Sequence, residues 1–378
     1  MTDPASLDFL CRILRDEPAA WPGLDASAAH RLYDTAREQG VHLLVADRLW
    51  ERGELEDCPR ALRDRLAASL RSQLAVEEIA RQELQTVLAA FGDAGIHPVL
   101  FKGAALAFTH YPDPVLRPRV DTDLLVDPSE RLAAFETLER LHYQRPPFQT
   151  GDLVMYQVPY GRTDGHGARH VVDLHWKVSN PQVFARAVTR EELVHSSVRV
   201  PQLGDTARAP SAVHSLVLGC VHRVAHHGHE ERLIWILDIH LLAERLSEGE
   251  REEFVEFAVA KHLTTVCAQG LEVAERRFHG RAANRLLAQL VARLSENREP
   301  SEPYARGRMR KVDVLLSDLD ALEGWRPRFK LLREHLFPPG AYMRQAYGAS
   351  SAAWLPFLYA WRFARGARAW CTRGGVRL

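Results

Sequence analysis

The stretch VLFKGAALAFTHYPDPVLRPRVDTDLLVDP, residues 99–128, contains both features from which the fold of this chain can be read. Val99-Leu100-Phe101 is short, apolar and rich in strand formers, and it stands between Gly95 and Gly103. That predicts a buried strand running into a helix at Ala104 to His110. Val120 to Val126 then alternates, with Thr122, Leu124 and Val126 on one face of a strand and Asp121, Asp123 and Leu125 on the other. Two carboxylates two residues apart on a strand project together, their Cα atoms about 6.5 Å apart. Carboxylates so placed repel, and each raises the other's pKa unless a cation lies between them. The pattern therefore makes chemical sense with a divalent ion or an arginine partner, and Mg2+, a hard ion that prefers carboxylate and phosphate oxygens, suits it. Upstream, Gly103 at the strand-to-helix junction lets backbone approach a phosphate, the helix N-terminus favours an anion, and Lys102 adds a positive charge.

Working outward, Leu153 to Tyr160 and Ala168 to Val178 read as two strands of a hairpin joined by the glycine-rich loop 161–167. Val172, Leu174, Trp176 and Val178 form the apolar face of the second strand; Asp173, His175 and Lys177 occupy the other, where they would meet substrate or solvent. Asp173 is the natural third acid, and three acids permit two ions, one activating the attacking oxygen and one steadying a triphosphate. Residues 4–94 carry helical periodicity that ends in a long amphipathic run, with Gly92 and Gly95 as a stop. Helical periodicity resumes after about residue 207, with Ser211 as an N-cap and Leu233 to Leu242 almost continuously apolar. The expected fold class is α+β: a small mixed-sheet core at 95–206 between a helical region at 1–94 and a helical domain at 207–378.

The composition excludes several classes. At 378 residues, 46% hydrophobic and 26% charged, the chain matches ordinary globular usage, and no run of 18 residues is apolar throughout. Membrane insertion is not expected. The first residues, MTDPASLDFLC, lack the basic segment of a secretory leader, and five scattered cysteines form no CxxC pair, so a cytosolic setting without disulfides or a thiolate zinc site is expected. Lys+Arg and Asp+Glu both number 49, which disfavours a long nucleic acid as partner. Among those cations only residues 102, 177, 261, 311 and 330 are lysine.

The run at 99–128 resembles the nucleotidyltransferase fold of the DNA polymerase beta superfamily. It is similar in particular to a poorly characterised bacterial family whose motif reads KG, a tyrosine, an arginine and DxDLLV. The segments VVDLHW, RLIWILDIHLL and LFPPGAYMRQAYG extend the resemblance over roughly residues 40–365. It implies a metal-dependent transfer of a nucleoside monophosphate from an NTP, ATP included, to an acceptor, with pyrophosphate leaving. On that resemblance Asp121, Asp123 and Asp173 would bind two Mg2+ ions, with Mn2+ able to substitute, and Asp173 would act as base near the acceptor hydroxyl. Gly103 and Ala104 occupy the phosphate-loop position, Ala104 where the wider superfamily usually has serine or glycine. Lys102 and Arg117 are the cations that would meet the triphosphate or organise the site, and His175 and Lys177 complete the expected nucleotide-binding set. The acceptor is left open among small molecules, peptides and proteins. Two alternatives stand beside this reading: a tRNA-modifying, toxin-type nucleotidyltransferase, and a nucleotide- or partner-binding module that has lost catalysis.

Three further features call for partners. His222 and His226 lie one helical turn apart in HRVAHHGH, where a zinc ion would need a third ligand that the sequence does not offer, so a cleft-lining or packed helix face is expected instead. Asp238 interrupts LIWILDIHLL and must be paired if buried, with Arg232 or Arg245 nearby, or else turned toward the site. The C-terminal AAWLPFLYAWRFARGARAW is expected to pack its tryptophans on the preceding domain, because Pro356 and Gly366 interrupt an otherwise membrane-like amphipathic surface.

Overall fold

The computed structural model describes residues 3–19, 21, 25–146, 151–227, 229–294, 298–307 and 309–371, with side chains in the last helix described to residue 366. Helices at both ends enclose a six-stranded mixed sheet. The strands are β1 (Val99–Phe101), β2 (Thr122–Leu125), β3 (Gln157–Thr163), β4 (Arg169–His175), β5 (Val198–Arg199) and β6 (Arg208–Ala209), ordered β3-β4-β2-β1-β6-β5. β2 runs parallel to β4 and β1 parallel to β6; the remaining pairs are antiparallel.

Local chemistry explains the boundaries. Gly95, at φ +72, terminates the helix Arg60–Asp93, and the Ile96 amide returns to the Phe91 carbonyl. Gly92, expected to share that role, lies inside the helix. The β3–β4 hairpin turns later than its glycines suggest: Gly161 sits within the ladder opposite Val171, and Asp164 closes the turn by accepting from the amides of His166 and Ala168. Ser211 caps the helix Ala212–Ala225 through the His214 amide.

The sheet is covered on both faces. Leu100, Leu124, Val158 and Leu174 pack with Leu84, Val87 and Phe91 of the long helix and with Ala134 and Leu138 of the helix Arg131–Arg140. The other core joins Leu10, Leu43, Leu49, Leu62 and Leu66 of the N-terminal helices to Leu216, Ile236, Phe254 and Leu271 of the later ones, and touches the sheet at Phe101 and Leu125. Each such fully buried leucine or phenylalanine contributes about 1.5–3 kcal/mol of transfer free energy. The helix Arg60–Asp93 belongs to both cores: its first turns lie in one, its last turns in the other, and Glu77 between them is buried against Arg119 at 2.7 and 2.9 Å. No helix among the described residues is long and apolar enough to cross a membrane.

Candidate active site

Register places the acids. Asp123 lies opposite Phe101 across the antiparallel β1–β2 pair and opposite Asp173 across the parallel β2–β4 pair. Alternation along both strands then puts Asp123, Asp173 and His175 on the sheet face away from Leu124 and Leu174. One ligand atom from each of these three lies within 4.8 Å of the others. Asp121 stands one residue before β2 and lines the same cleft.

The charges of the acids are uneven. Burial would raise Asp123, but the Lys102 ammonium, 2.6 Å from its Oδ1, and the His175 Nε2 bond at 2.8 Å outweigh it and hold the carboxyl at about 2. Burial, and then the negative charges of Asp123 and Asp121, push Asp173 up to about 7, although the Gln157 amide donates to it at 2.6 Å. Asp121 is raised by burial and by Asp123. His175 is fully buried and drawn down to about 4 by desolvation and then by Lys102, so it is a neutral ring donating to Asp123. Three carboxyls that cannot all ionise comfortably, with oxygen donors converging from two adjacent strands, suit a hard divalent cation.

Lys102 opens the helix Lys102–Thr109 in the left-handed region, at φ +54, a conformation that costs a non-glycine residue about 1 kcal/mol or more. That twist carries its ammonium onto Asp123. Beside it, a Cβ added to Gly103 would come within 3.2 Å of the Arg117 guanidinium, so the absence of a side chain is what lets that group lie against the helix start. Arg117 is held there by Asp238: Nη2 donates to Oδ2 at 2.8 Å and Nε to Oδ1 at 3.0 Å, and the Tyr111 hydroxyl donates to Oδ1 at 2.7 Å. The partner of Asp238 is therefore neither Arg232 nor Arg245, as sequence proximity suggested. Those two donate to the carbonyls of Glu38 and His110 at the helix periphery. Asp238 is both buried and turned toward the cleft, since it lines it.

The cleft holds about 550 Å³, and its opposite wall comes from helices outside the sheet. The helix Leu233–Arg245 begins on residues of the N-terminal region: Gln39 accepts from Leu233 through its side chain and from Ile234 through its carbonyl. This brings Arg232 and Trp235 opposite the acids, with Arg37 and His42 beside them. His222, His226 and His227 line the same wall. His227 bonds His222 at 2.9 Å and packs on Trp235 at 4.0 Å, while His226 stacks on Tyr156 at 5.0 Å and bonds Ser179. Burial lowers the pKa of all three, and among the described residues they form no three-ligand metal cluster.

Of the residues expected to form the site, Lys102, Gly103, Arg117, Asp121, Asp123 and Asp173 line this cleft. Three do not. His175 lies beneath Asp123, Ala104 is buried in the core behind the sheet, and Lys177 donates to the Leu153 carbonyl and faces Asp318, Glu334 and Asp152. The alternation that would align Lys177 with Asp173 stops because β4 ends at His175 and the chain bends through 176–178. Gln157, Tyr156, Trp235, Arg37 and His42 were not singled out, and Arg232 was named only as a partner for Asp238. Of these only Gln157 had a usable signal, two residues before Pro159 on the strand that pairs with Asp173.

A mixed sheet with paired acids on adjacent central strands, and a lysine-glycine turn entering a helix beside them, agrees with the resemblance drawn from the sequence. The chain belongs to a family of uncharacterised nucleotidyltransferases, which it matches over residues 25–279, about two-thirds of its length. No curated protein shows significant sequence similarity to it.

Proposed function

We propose that this protein transfers a nucleoside monophosphate from an NTP to an acceptor hydroxyl, releasing pyrophosphate. The observation that carries the reading is the convergence of Asp121, Asp123 and Asp173 on one cleft beside the start of the helix Lys102–Thr109. Asp121, Asp123 and Asp173 would hold Mg2+, or Mn2+ in its place. The bound ions would neutralise the triphosphate and lower the pKa of an acceptor oxygen. Gly103 presents backbone to phosphate at a helix N-terminus. Lys102 exchanges its contact with Asp123 for the incoming phosphates, and Arg117 keeps the turn in place. Asp173, on the strand beside Asp123, would act as base near the acceptor hydroxyl. His175 donates to Asp123 and fixes its orientation.

Incubation with each labelled NTP and Mg2+, followed by mass analysis of the protein and of small-molecule, peptide and tRNA acceptors, tests this. Pyrophosphate release that is lost in Asp123→Asn is the expected result. A protein that binds neither Mn2+ nor any NTP would overturn it, and NTP binding without turnover would favour the inactive binding module. Label on tRNA, sensitive to salt, would assign the acceptor to RNA.

A further inference from the structure

The last part of the chain carries a charge and exposure pattern that the cleft does not explain. Between residues 324 and 371, positions 326, 328, 330, 333, 344, 362, 365 and 368 are arginine or lysine, and Glu334 is the one acid, in a chain whose signs balance overall. Glu334 is itself buried, accepting from the amides of Asp152, Leu153 and Val154. The same stretch is unusually apolar on its outside. The tryptophans of this stretch were expected to pack inward, yet Trp354 is 56% and Trp361 50% exposed, as is Phe357 at 59%; the Trp370 side chain lies outside the described residues. Inward contacts are made instead by Leu358, which is buried, and by Tyr359, which donates to the Pro338 carbonyl and lies against Phe337. The spacing of three and four residues sets Trp354, Phe357 and Trp361 in one outward stripe, and they touch one another: Trp354 meets Phe357 edge-on at 6.1 Å, and Phe357 stacks on Trp361 at 6.4 Å. A contiguous aromatic surface left in water marks a docking face.

We propose that this face docks on an anionic bilayer surface, with Trp354, Phe357 and Trp361 entering the headgroup boundary and the flanking arginines meeting lipid phosphates. The inference goes beyond nucleotidyl transfer and does not depend on it. Charge selects the occupant: the stretch carries eight cations against one acid, Arg365 is exposed one helical turn after Trp361, and neither it nor Arg326, Arg333 or Arg362 forms a salt bridge among the described residues. Arginine beside outward tryptophan and phenylalanine is the composition of helices that lie in the plane of a membrane interface. The helix has 17 residues and cannot span, which leaves it lying on the surface. Single-stranded RNA also favours arginine with aromatics, but bases need open ring faces to stack on. Here Phe357 and Trp361 lie nearly parallel with centroids 6.4 Å apart, which leaves no room for a base between them, and the stripe suits hydrocarbon better than bases.

The test is flotation of the full chain with vesicles of phosphatidylcholine alone or containing about 30% phosphatidylglycerol, with and without single-stranded RNA. The wild-type protein should float with the anionic vesicles only, and less at high salt. Trp354→Ser/Phe357→Ser/Trp361→Ser should weaken that binding about tenfold or more while thermal unfolding stays unchanged, since all three side chains already face water. Arg362→Gln/Arg365→Gln should lower the preference for anionic vesicles, and it carries the test should the triple variant misfold. Failure of the wild type to float, equal binding to neutral vesicles, binding to RNA that the same variants abolish, or a dimer in solution that the triple variant dissociates would each overturn the proposal.

Discussion

Replacing Asp238 with alanine should be among the most damaging single changes in this protein, although the residue touches none of the three acids. Asp238 and Arg117 are each 6% exposed. Alanine would strip the guanidinium of its bonds from Nε and Nη2 and leave it buried with no hydrogen-bonded counter-charge, only the less direct charge of Asp121, which costs about 3–5 kcal/mol. The Tyr111 hydroxyl, now without an acceptor, adds about 1 kcal/mol. A domain's whole stability is about 5–15 kcal/mol, so the loss is a large share of it. Arg117→Met should cost about 3–5 kcal/mol for the reciprocal reason, because Asp238 keeps only the Tyr111 bond. The double variant Arg117→Met/Asp238→Leu removes both charges at similar volume and should lie within about 2 kcal/mol of wild type, giving a coupling energy of about 3 kcal/mol or more. Urea unfolding followed by tryptophan fluorescence measures all three. Additive costs in the double variant, or a loss below about 1 kcal/mol for Asp238→Ala, would refute the view that this pair acts as a buried unit. The pair also sets where the guanidinium lies against Gly103, so Asp238→Ala should raise the apparent KM for NTP even in the fraction that stays folded.

Other outcomes can be checked on the same material. Asp173 has its pKa raised to about 7, so the native state gains stability as pH falls from above 7 toward 4 and loses it as the group ionises. Asp173→Asn should therefore raise the unfolding free energy in EDTA at pH 8 by roughly 1–3 kcal/mol, while Mn2+ binding measured by calorimetry is lost; a lower unfolding free energy would contradict the crowding of the acids. His175→Gln keeps a donor near Asp123 and should retain most turnover, whereas His175→Phe should lower kcat about tenfold or more with little change in KM, and equal kcat values would remove the orienting role. Asp318 accepts the Gln182 amide at 2.7 Å, and burial raises its pKa to about 6. Wild type should thus gain stability as pH falls from about 6 to about 4, and Asp318→Asn, which keeps the acceptor, should lack that gain in pH-dependent urea melts.

Local patterns carried the sheet and its acids. The alternation around Leu124 and Leu174 placed Asp123 and Asp173 on the same face, and no long-range information was needed because both belong to strands with one apolar side. What escaped was set by tertiary approach. Arg117 and Asp238 are far apart in the chain, and nothing in either segment names the other; nearest-in-sequence pairing chose Arg232 and Arg245 because helix spacing was the only guide. The inward turn of His175 depends on how closely the helix 212–225 and Tyr156 cover the sheet, which alternation does not report. Lys177 lies off the cleft because β4 ends at His175, and a strand's end cannot be read to the residue from its apolar positions. The histidine run was expected either to line the cleft or to pack, and it is the packing of two helices from beyond the sheet that puts it in the cleft.

The division of the cleft between two cores has an evolutionary consequence. Its acidic floor is anchored by strands whose other side is the core behind the sheet, so a substitution there disturbs register, burial and charge together. Its facing wall, with Arg37, His42, Arg232 and Trp235, hangs on the second core through helix ends and side-chain caps such as Gln39. Mutations can accumulate on that wall at little risk to the sheet, so descendants of one ancestral chain can exchange what they recognise while keeping the same chemistry, and the rates at which the two halves of the cleft drift should differ.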